Sequence, residues 1–555
     1  MKRKSSFLSL ILALSMIFGM LTGCGGSNPS QPSNQTSTTP SESATATPES
    51  TVPSYLNDAA FPIVKEPITL KAMVLLSPAQ PAEWNDIMVW QEYEKMTGIH
   101  IEWEAYSSAD IVEKRNLALA SDTLPDMFFR TKLPDNDITK YGAEGSFIKL
   151  NDLIDQYAPN FKAVMEKYPD VKKGIPMADG TIYALPNLTD SPSIEIYRKL
   201  FINQKWLNAV GKKSPTTTDE LYDVLTAFRN NDPNKNGQKD EIPLTADNIP
   251  ELLQVFIGAF GLGNQGTGNG NWDLDPTSGE LRFYPASQGY KDMLTYLNKL
   301  YSEKLLEQEI FTTNAKDILA KNEQELIGSF SFANVAARAS SNAADFAGLE
   351  TALAGPSGER VYTSARGHVG SRGAFLISKT NKYPEATMRW IDYFYSEEGT
   401  KMLYLGKEGV SYGKTADGSY DFLPEIVNNI PEGSSFDQVV SKYVPYAGGS
   451  IPTIIYEDFF KGGETQPVPK AAAQNLAPYL PKELWAPFSF TIEESEKKVA
   501  LEADIIGMVD QRTAEFIQGK VSLSEFENYV KQLEQMGLAE LKEIYNAAYT
   551  RYKSN

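Results

Sequence analysis

One acidic loop in the middle of the chain has the residue types and the spacing of a metal site. It reads Asp232-Pro233-Asn234-Lys235-Asn236-Gly237-Gln238-Lys239-Asp240-Glu241. Oxygen-bearing side chains fall at the first, third, fifth and ninth positions, and glycine holds the sixth, where Ca²⁺-binding loops turn sharply. Calcium takes six to eight oxygen ligands, and alternate residues of a tight loop can direct their oxygens towards one point. These features favour Ca²⁺ over the alternative, an exposed turn rich in Pro, Asn and Gly.

The loop departs from the usual calcium-binding pattern at its end. The twelfth position, which ordinarily carries a bidentate glutamate, is Pro243. Glu241, at the tenth position, is the carboxylate that can replace it, and Gln238 would contribute its backbone carbonyl. Because the loop contains no histidine and offers no obvious position for a substrate, we expect the metal to be structural.

A single cysteine near the N-terminus indicates where the protein is located. Cys24 follows a basic head, an apolar run from Phe7 to Leu21 and two small residues. The run is shorter than the ~20 residues that span a membrane, so residues 1–23 are typical of a signal peptide. Cys24 resembles the lipobox cysteine of bacterial lipoproteins, which carries fatty acyl chains, and two or more chains make a stable anchor. The alternative is an ordinary signal peptide with a coincidental cysteine.

Composition limits the partners of the protein. The formal net charge is −19, and removal of the first 23 residues takes away three cations and leaves −22. This acidity argues against nucleic acid, whose phosphates require Lys or Arg, and against adsorption to anionic lipid. Residues 24–60 are rich in Ser, Thr and Pro, a composition typical of a disordered tether. We expect a monomer that meets the membrane through its lipid anchor only.

The patterns beyond the tether predict an α/β fold. Ile68–Leu76, Ile99–Tyr106 and Leu124–Phe129 are strand-like, and helices are predicted over 86–97 and 111–121 between them. This alternation favours a parallel, doubly wound sheet. Thr218 is predicted to cap a helix, and Thr491 with Glu494 has the pattern of a capping box. Further helices are predicted over 150–156, 218–230, 250–258, 288–301, 384–396, 493–519, 523–536 and 538–552.

Several segments occur together in an order that is specific to one family. They are Leu200–Leu207, Pro215–Leu221, Asp232–Leu244, Asp179–Pro186, Trp390–Gly399, Gly406–Tyr412 and two pieces of residues 516–552. The set resembles the extracellular sugar-binding lipoproteins of bacterial ABC importers. Within that family it looks closest to the large calcium-loop subgroup, which includes alginate-binding proteins and LplA-like lipoproteins of Gram-positive soil bacteria.

The resemblance implies a helix-rich α/β fold of two lobes, with the ligand in the cleft between them. We assign residues 61–190 and about 365–430 to the N-terminal lobe, and residues 191–364 and about 431–555 to the C-terminal lobe. In that family the calcium is structural. The matching ligands here are Asp232, Asn234, Asn236, Gln238, Asp240 and Glu241.

Aromatic and charged residues in predicted loops are the candidates for sugar contact. Pyranose rings present apolar C–H faces that stack on Trp and Tyr, and polar side chains fix the hydroxyls. Tyr197 and Arg198 lie just past the predicted first crossover between the lobes. The other candidates are Trp84, Trp272 and Trp485, whereas apolar periodicity favours core positions for Trp90, Trp103, Trp206 and Trp390.

Catalytic motifs are weak in this sequence. Its two histidines, His100 and His368, lie near no Gly-x-Ser-x-Gly elbow and form no His-Glu-x-x-His pair. The acids are too numerous for paired carboxylates to indicate a glycosidase. We therefore predict no enzyme, but a lipid-anchored protein on the outer face of the cell membrane that delivers an oligosaccharide to an ABC permease. The alternatives are an extracellular polysaccharide hydrolase or lyase, and a peptide-binding importer subunit.

Overall fold

The chain builds two main sheets and two short hairpins. The computed structural model describes residues 52–81, 83–431, 435–445 and 451–555, and Pro53–Asn555 form one compact unit. The strands are β1 (Ile68–Leu76), β2 (Ile99–Ser107), β3 (Met127–Phe129), β4 (Ala184–Asp190), β5 (Lys199–Asn203), β6 (Thr245–Ala246), β7 (Trp272–Leu274), β8 (Leu281–Phe283), β9 (Ser329–Phe332), β10 (Phe346–Gly348), β11 (Val369–Ile377), β12 (Tyr412–Lys414), β13 (Tyr420–Phe422) and β14 (Ile454–Tyr456).

The first sheet has six strands in the order β14-β4-β11-β3-β1-β2. β1 pairs in parallel with β2, Ile68 opposite Ile99, and in parallel with β3, which confirms the predicted strand–helix alternation. β11 runs antiparallel between β3 and β4, so the complete sheet is mixed, whereas the three strands from which a parallel sheet was predicted are parallel to one another. The reason is that the chain re-enters this sheet from the second one, running in the opposite direction.

The second sheet has four short strands in the order β10-β5-β9-β6. β5 pairs antiparallel with both β10 and β9, and β6 pairs in parallel with β9. The remaining strands form the hairpins β7–β8 and β12–β13. The chain therefore passes from the first sheet to the second after β4, and it returns after β10.

Helices surround both sheets. The helix predicted over residues 218–230 is α9 (Thr218–Asn230). Its N-cap is Thr217, whose hydroxyl accepts from the Glu220 amide at 3.0 Å, and not Thr218. The helices are α1 (Met88–Thr97), α2 (Ile111–Ala120), α3 (Asp135–Ala143), α4 (Asn151–Tyr157), α5 (Pro159–Lys167), α6 (Pro169–Gly174), α7 (Pro192–Glu195), α8 (Gln204–Ala209), α9 (Thr218–Asn230), α10 (Ile249–Phe256), α11 (Gln288–Ser302), α12 (Ala315–Glu323), α13 (Ala336–Ala339), α14 (Pro384–Asp392), α15 (Glu397–Leu405), α16 (Pro424–Val427), α17 (Phe436–Val440), α18 (Pro467–Leu476), α19 (Ile492–Gln518), α20 (Phe526–Gln535) and α21 (Leu538–Ser554).

The three helices predicted at the C-terminal end of the chain are present as α19, α20 and α21. α19 begins with a complete capping box, in which Thr491 and Glu494 each accept from the other's backbone amide. It packs against α11, and the hydroxyls of Tyr290 and Thr513 lie 2.7 Å apart between the two helices. Gly519, with φ of 72°, ends α19 in the left-handed conformation that glycine adopts readily.

Folded structure begins earlier than the sequence indicated. Leu56 is buried and pairs with Val64, and the hydroxyl of Tyr55 donates to Glu385 of α14. The compact unit therefore begins at Pro53, ahead of the predicted start at residue 61. Among the residues that the structure describes, none of the helices combines the length and the apolar character needed to span a bilayer.

Candidate functional site

Three chain segments connect the two sheets. The first connection, residues 191–198, joins β4 to β5; the second, residues 349–368, joins β10 to β11; the third, residues 457–466, joins β14 to α18. α18 lies against β10, where a Cβ on Gly348 would come within 2.2 Å of the Cβ of Ala472. A side chain does not fit there, so Gly348 permits close contact between β10 and α18. The third connection therefore leads into a helix that is packed on the second sheet.

Hydrogen bonds join the three connections to one another. The Arg366 amide of the second connection donates to the Glu195 carbonyl of the first at 3.2 Å. Glu457 of the third connection accepts from the Ser191 hydroxyl at 2.8 Å and from the Ser193 amide at 3.1 Å. The three segments therefore form one bonded unit, which is the region about which two lobes would move.

A buried lysine lies at the end of the first connection. The ammonium group of Lys199 donates to the carbonyls of Ser193, at 2.8 Å, and of Ala333, at 3.2 Å. Burial lowers its pKa to about 8. Since a buried ammonium is stable only when its protons are bonded, Lys199 fixes the path of the first connection onto the second sheet.

Charged groups cluster where the first and second connections meet the first sheet. His368 Nδ1 lies 2.8 Å from Asp170, and the hydroxyl of Tyr168 donates to Asp190. Burial raises the pKa of Glu195 to about 7. Burial lowers the pKa of His368, but the hydrogen bond with Asp170 and the nearby carboxylates outweigh it and raise that pKa above its ordinary value.

Tyr197 and Arg198 begin an alternating stack of aromatic and cationic side chains. The guanidinium of Arg198 lies 3.9 Å from the centre of the Tyr197 ring and 5.1 Å from that of Phe332. Arg338 covers Phe332 at 3.6 Å, and Arg198 is also paired with Glu251. Arg198 is buried, whereas Tyr197 is 46% exposed. The stack therefore holds one aromatic ring at the surface of the first connection in a fixed orientation.

Trp84 is a core residue and not a cleft residue. It is 1% exposed, and its ring lies 4.9 Å from that of Trp103 and 5.7 Å from that of Trp90. Phe129 of β3 contacts the same rings. The Trp84 side chain in the loop after β1 therefore points into the core. Its burial argues against the predicted contact with a sugar.

Trp272 and Trp485 are also buried, at 2% exposure each. Trp272 starts the β7–β8 hairpin and stacks on Tyr545 with ring centres 4.4 Å apart and planes 21° apart. Trp485 contacts Phe488 at 5.1 Å and Tyr549 at 4.9 Å. Helix α21 supplies both tyrosines, so both tryptophans are packed against this helix, and their burial argues against the predicted contact with a sugar.

The acidic loop 232–241 folds around its own backbone amides. Asp232 accepts from the amides of Asn236 and Gly237, both at 3.1 Å, and Asn234 accepts from the amide of Asn236 at 3.2 Å. Asn236 accepts from the Gln238 amide at 2.7 Å and donates its side-chain amide to Asp240 at 3.0 Å. The oxygen-bearing side chains at alternate positions therefore turn towards the inside of the loop, as a cation site requires.

Glu241 provides a test of whether the loop fits Ca²⁺. Its Oε1 atom is buried and has no hydrogen-bond partner. Burial, together with the neighbouring carboxylates of Asp240 and Asp232, raises its pKa. A buried carboxylate oxygen without a partner, beside two other carboxylates, is costly without a cation, so the donor set fits Ca²⁺. Binding would require Asn236 to turn its amide nitrogen away from Asp240 and present oxygen.

Some sequence predictions lie outside the structure, and some site residues were not found from the sequence. Cys24 and the signal peptide lie outside the described residues. The group of Asp190, Glu195 and His368 was missed because His368 is distant in the chain from the two carboxylates. The sequence positions of Asp190 and His368 could have indicated this group. Both residues lie at the ends of predicted chain crossings, where polar groups meet at a sheet edge.

Comparisons with known proteins agree with this architecture. Residues 89–421 match the family described as bacterial extracellular solute-binding protein. The chain is 30% identical over 524 residues to the fructooligosaccharide ABC transporter substrate-binding protein FusA of Streptococcus pneumoniae, and the match covers 91% of this chain and 94% of that one. It is 25% identical over 518 residues to the polygalacturonan/rhamnogalacturonan-binding protein YtcQ of Bacillus subtilis, covering 88% and 92%.

Solved structures give the same result. The structure of S. pneumoniae FusA in complex with kestose superposes with a TM-score of 0.69 at 27% identity, over 88% of this chain and 100% of that one. A FusA EF-hand mutant in complex with fructo-nystose has a TM-score of 0.68 at the same identity and coverage. The predicted two-lobed α/β fold is thereby confirmed.

Proposed function

Because this chain belongs to the family of bacterial extracellular solute-binding proteins, we propose that it captures an oligosaccharide outside the cell and delivers it to an ABC permease. The observation that supports this proposal most strongly is the 30% sequence identity between this chain and FusA over nearly the full length of both. Substrate-binding proteins of importers hold their cargo without changing it, so we propose no enzymatic step.

We propose that the sugar is bound where the three connections meet and that the lobes close over it. Tyr197 supplies an exposed ring that Arg198 holds in place, and such rings stack on the apolar faces of sugars. Arg366 of the second connection is close enough to Tyr197 and Glu195 to interact electrostatically with both. A ligand that contacts both lobes favours the closed state by its higher affinity for that state.

The charges around the connections favour a neutral oligosaccharide. The relatives are named for two ligand classes, neutral fructooligosaccharide and acidic polygalacturonan. A polyuronate requires an excess of Lys and Arg, and no such excess is present here, because carboxylates and cations are equal in number. The carboxylates are Asp170, Asp190, Glu195, Glu457, Asp458 and Glu464, and the cations are Lys167, Arg198, Lys199, Arg366, Lys461 and Lys470.

Calcium in the loop 232–241 is part of this proposal. The Glu241 carboxylate oxygen that has no hydrogen-bond partner supports it, and so do the inward oxygens of Asp232 and Asn234. A solved structure of a FusA EF-hand mutant supports it as well. The loop lies between α9 and the second sheet, where Ile242 pairs with Ile327. Calcium would therefore stiffen one lobe and take no part in sugar chemistry.

We also propose that acylated Cys24 anchors the protein to the outer face of the membrane as a monomer, with residues 25–52 as the tether. We propose that the lobes divide near residues 190 and 365 and at the third connection, residues 457–466. The last boundary is later than the expected one near 430, because β14 pairs with β4 in the first sheet. Labelling with a fatty-acid analogue, and its loss in Cys24→Ala, tests the anchor. Acylation retained in the variant would show that Cys24 is not the acylated residue.

The test of the proposed function is calorimetry on residues 53–555 with inulin-type fructooligosaccharides and with oligogalacturonides. We expect binding of the neutral series, with each sugar recovered unchanged by chromatography. Tyr197→Ala should weaken binding about 2- to 12-fold, the equivalent of one ring contact, and Tyr197→Phe should not. Binding of the acidic series alone contradicts the neutral ligand, and breakdown of a sugar supports an enzyme instead.

A further inference from the structure

Three side chains with metal-binding groups meet between the first and second connections. One ring nitrogen of His368 and one carboxylate oxygen from each of Asp190 and Glu195 lie within 4.8 Å of one another. Asp190 ends β4, Glu195 ends α7 in the first connection, and His368 ends the second connection. The three groups thus come from two chain crossings that only the folded protein brings together.

The surrounding residues fix the positions of these groups by hydrogen bonds. Asp170 accepts from the His368 backbone amide at 2.9 Å and lies 2.8 Å from its Nδ1. This carboxylate–histidine contact is the usual outer support of a metal-binding imidazole, and it leaves Nε2 as the free ligand atom. Tyr168 donates to Asp190, and the Ser191 amide donates to Glu195 at 3.1 Å.

The electrostatic balance of the cluster also favours a cation. Asp170, Asp190 and Glu195 bring three carboxylates, whereas Lys167, 3.3 Å from Asp190, and Arg366 are the nearby cations. A divalent cation bound between Asp190 and Glu195 would compensate this excess of negative charge.

We propose that Asp190, Glu195 and His368 form a Zn²⁺ site that joins the first and second connections. One imidazole and two carboxylates are a donor set that Zn²⁺ accepts, with a further position open to water or to a ligand hydroxyl. Bonds of ~2.1 Å in a tetrahedral site place ligand atoms about 3.4 Å apart, so the groups approach by no more than about 1.4 Å. This site is separate from the acidic loop. Zn²⁺ binding is measured without sugar, so a negative result would not contradict the proposed sugar binding.

The experiment is a Zn²⁺ titration of the mature protein by calorimetry, with Ca²⁺ at millimolar concentration to saturate the loop 232–241. The chain provides a matched control, because its other histidine, His100, is exposed and pairs with Glu94 at 2.8 Å. We expect one Zn²⁺ per chain in the wild type and in His100→Gln. His368→Gln and Glu195→Gln should bind at least about 10-fold more weakly.

Two further measurements exclude a merely structural explanation. Asp170→Asn keeps all three ligands and should weaken Zn²⁺ binding about 10- to 100-fold by freeing the imidazole. Co²⁺ in place of Zn²⁺ should give visible absorption of a four- or five-coordinate ion in the wild type and in His100→Gln only. Wild-type affinity in folded His368→Gln, or no Zn²⁺ binding by the wild type at 1 mM, overturns the site.

Discussion

Replacement of Trp272 by alanine separates a core role from a ligand role. The ring is 2% exposed, stacks on Tyr545 at 4.4 Å and contacts Phe283 at 5.1 Å. Truncation of a buried tryptophan costs about 3–5 kcal/mol of unfolding free energy, and the stacked pair contributes about 0.5–1.5 kcal/mol of that total. We expect this loss in urea denaturation, with sugar affinity of the folded protein changed less than about 2-fold.

The control is Trp272→Phe, which keeps an aromatic ring against Tyr545 and should recover more than half of the lost free energy. Tyr197→Ala is the converse case, because that ring is exposed. It should weaken sugar binding and leave unfolding nearly unchanged. The reasoning is refuted if Trp272→Ala lowers sugar affinity 10-fold or more while its unfolding curve matches the wild type.

Three other predictions concern stability. Asp232→Ala or Glu241→Ala should lower the melting temperature in Ca²⁺ and abolish the response to a chelator, and unchanged curves in both would exclude the calcium site. Thr491→Ala removes the N-cap bond of α19 and should cost about 0.5–2 kcal/mol in urea denaturation, whereas no loss would show that the cap is unimportant. The pKa of Glu195 is raised from 4.5 to about 7 in the folded state, so the folded protein binds more protons in that window and stability falls as pH rises through it. Glu195→Gln should flatten that decline, and an unaltered pH profile would contradict the assigned burial.

Local patterns were sufficient to predict many elements of this fold. The run of apolar residues in β1, the alternation in β2 and the periodicity of α9 and α19 each follow from neighbouring residues. The antiparallel entry of β11 between β3 and β4 could not be predicted, because strand order depends on how the chain returns from the second sheet.

The candidate site was harder to predict, since exposure depends on distant segments. Trp272 lies in a stretch rich in Gly and Asn that suggests an open loop, but α21, far along the chain, covers it. Tyr197 lies within the first connection and is exposed, and its contact with a sugar stays a prediction. The meeting of Asp190 with His368 required the three-dimensional fold, because no sequence spacing relates the two.

The central claim is that two lobes close on an oligosaccharide about the three connections. Small-angle X-ray scattering of residues 53–555, with and without a fructooligosaccharide at 100 times its Kd, tests it most directly. The account predicts a smaller radius of gyration with the sugar than without it. Saturating sugar that binds the wild type without any change in the scattering curve would contradict closure.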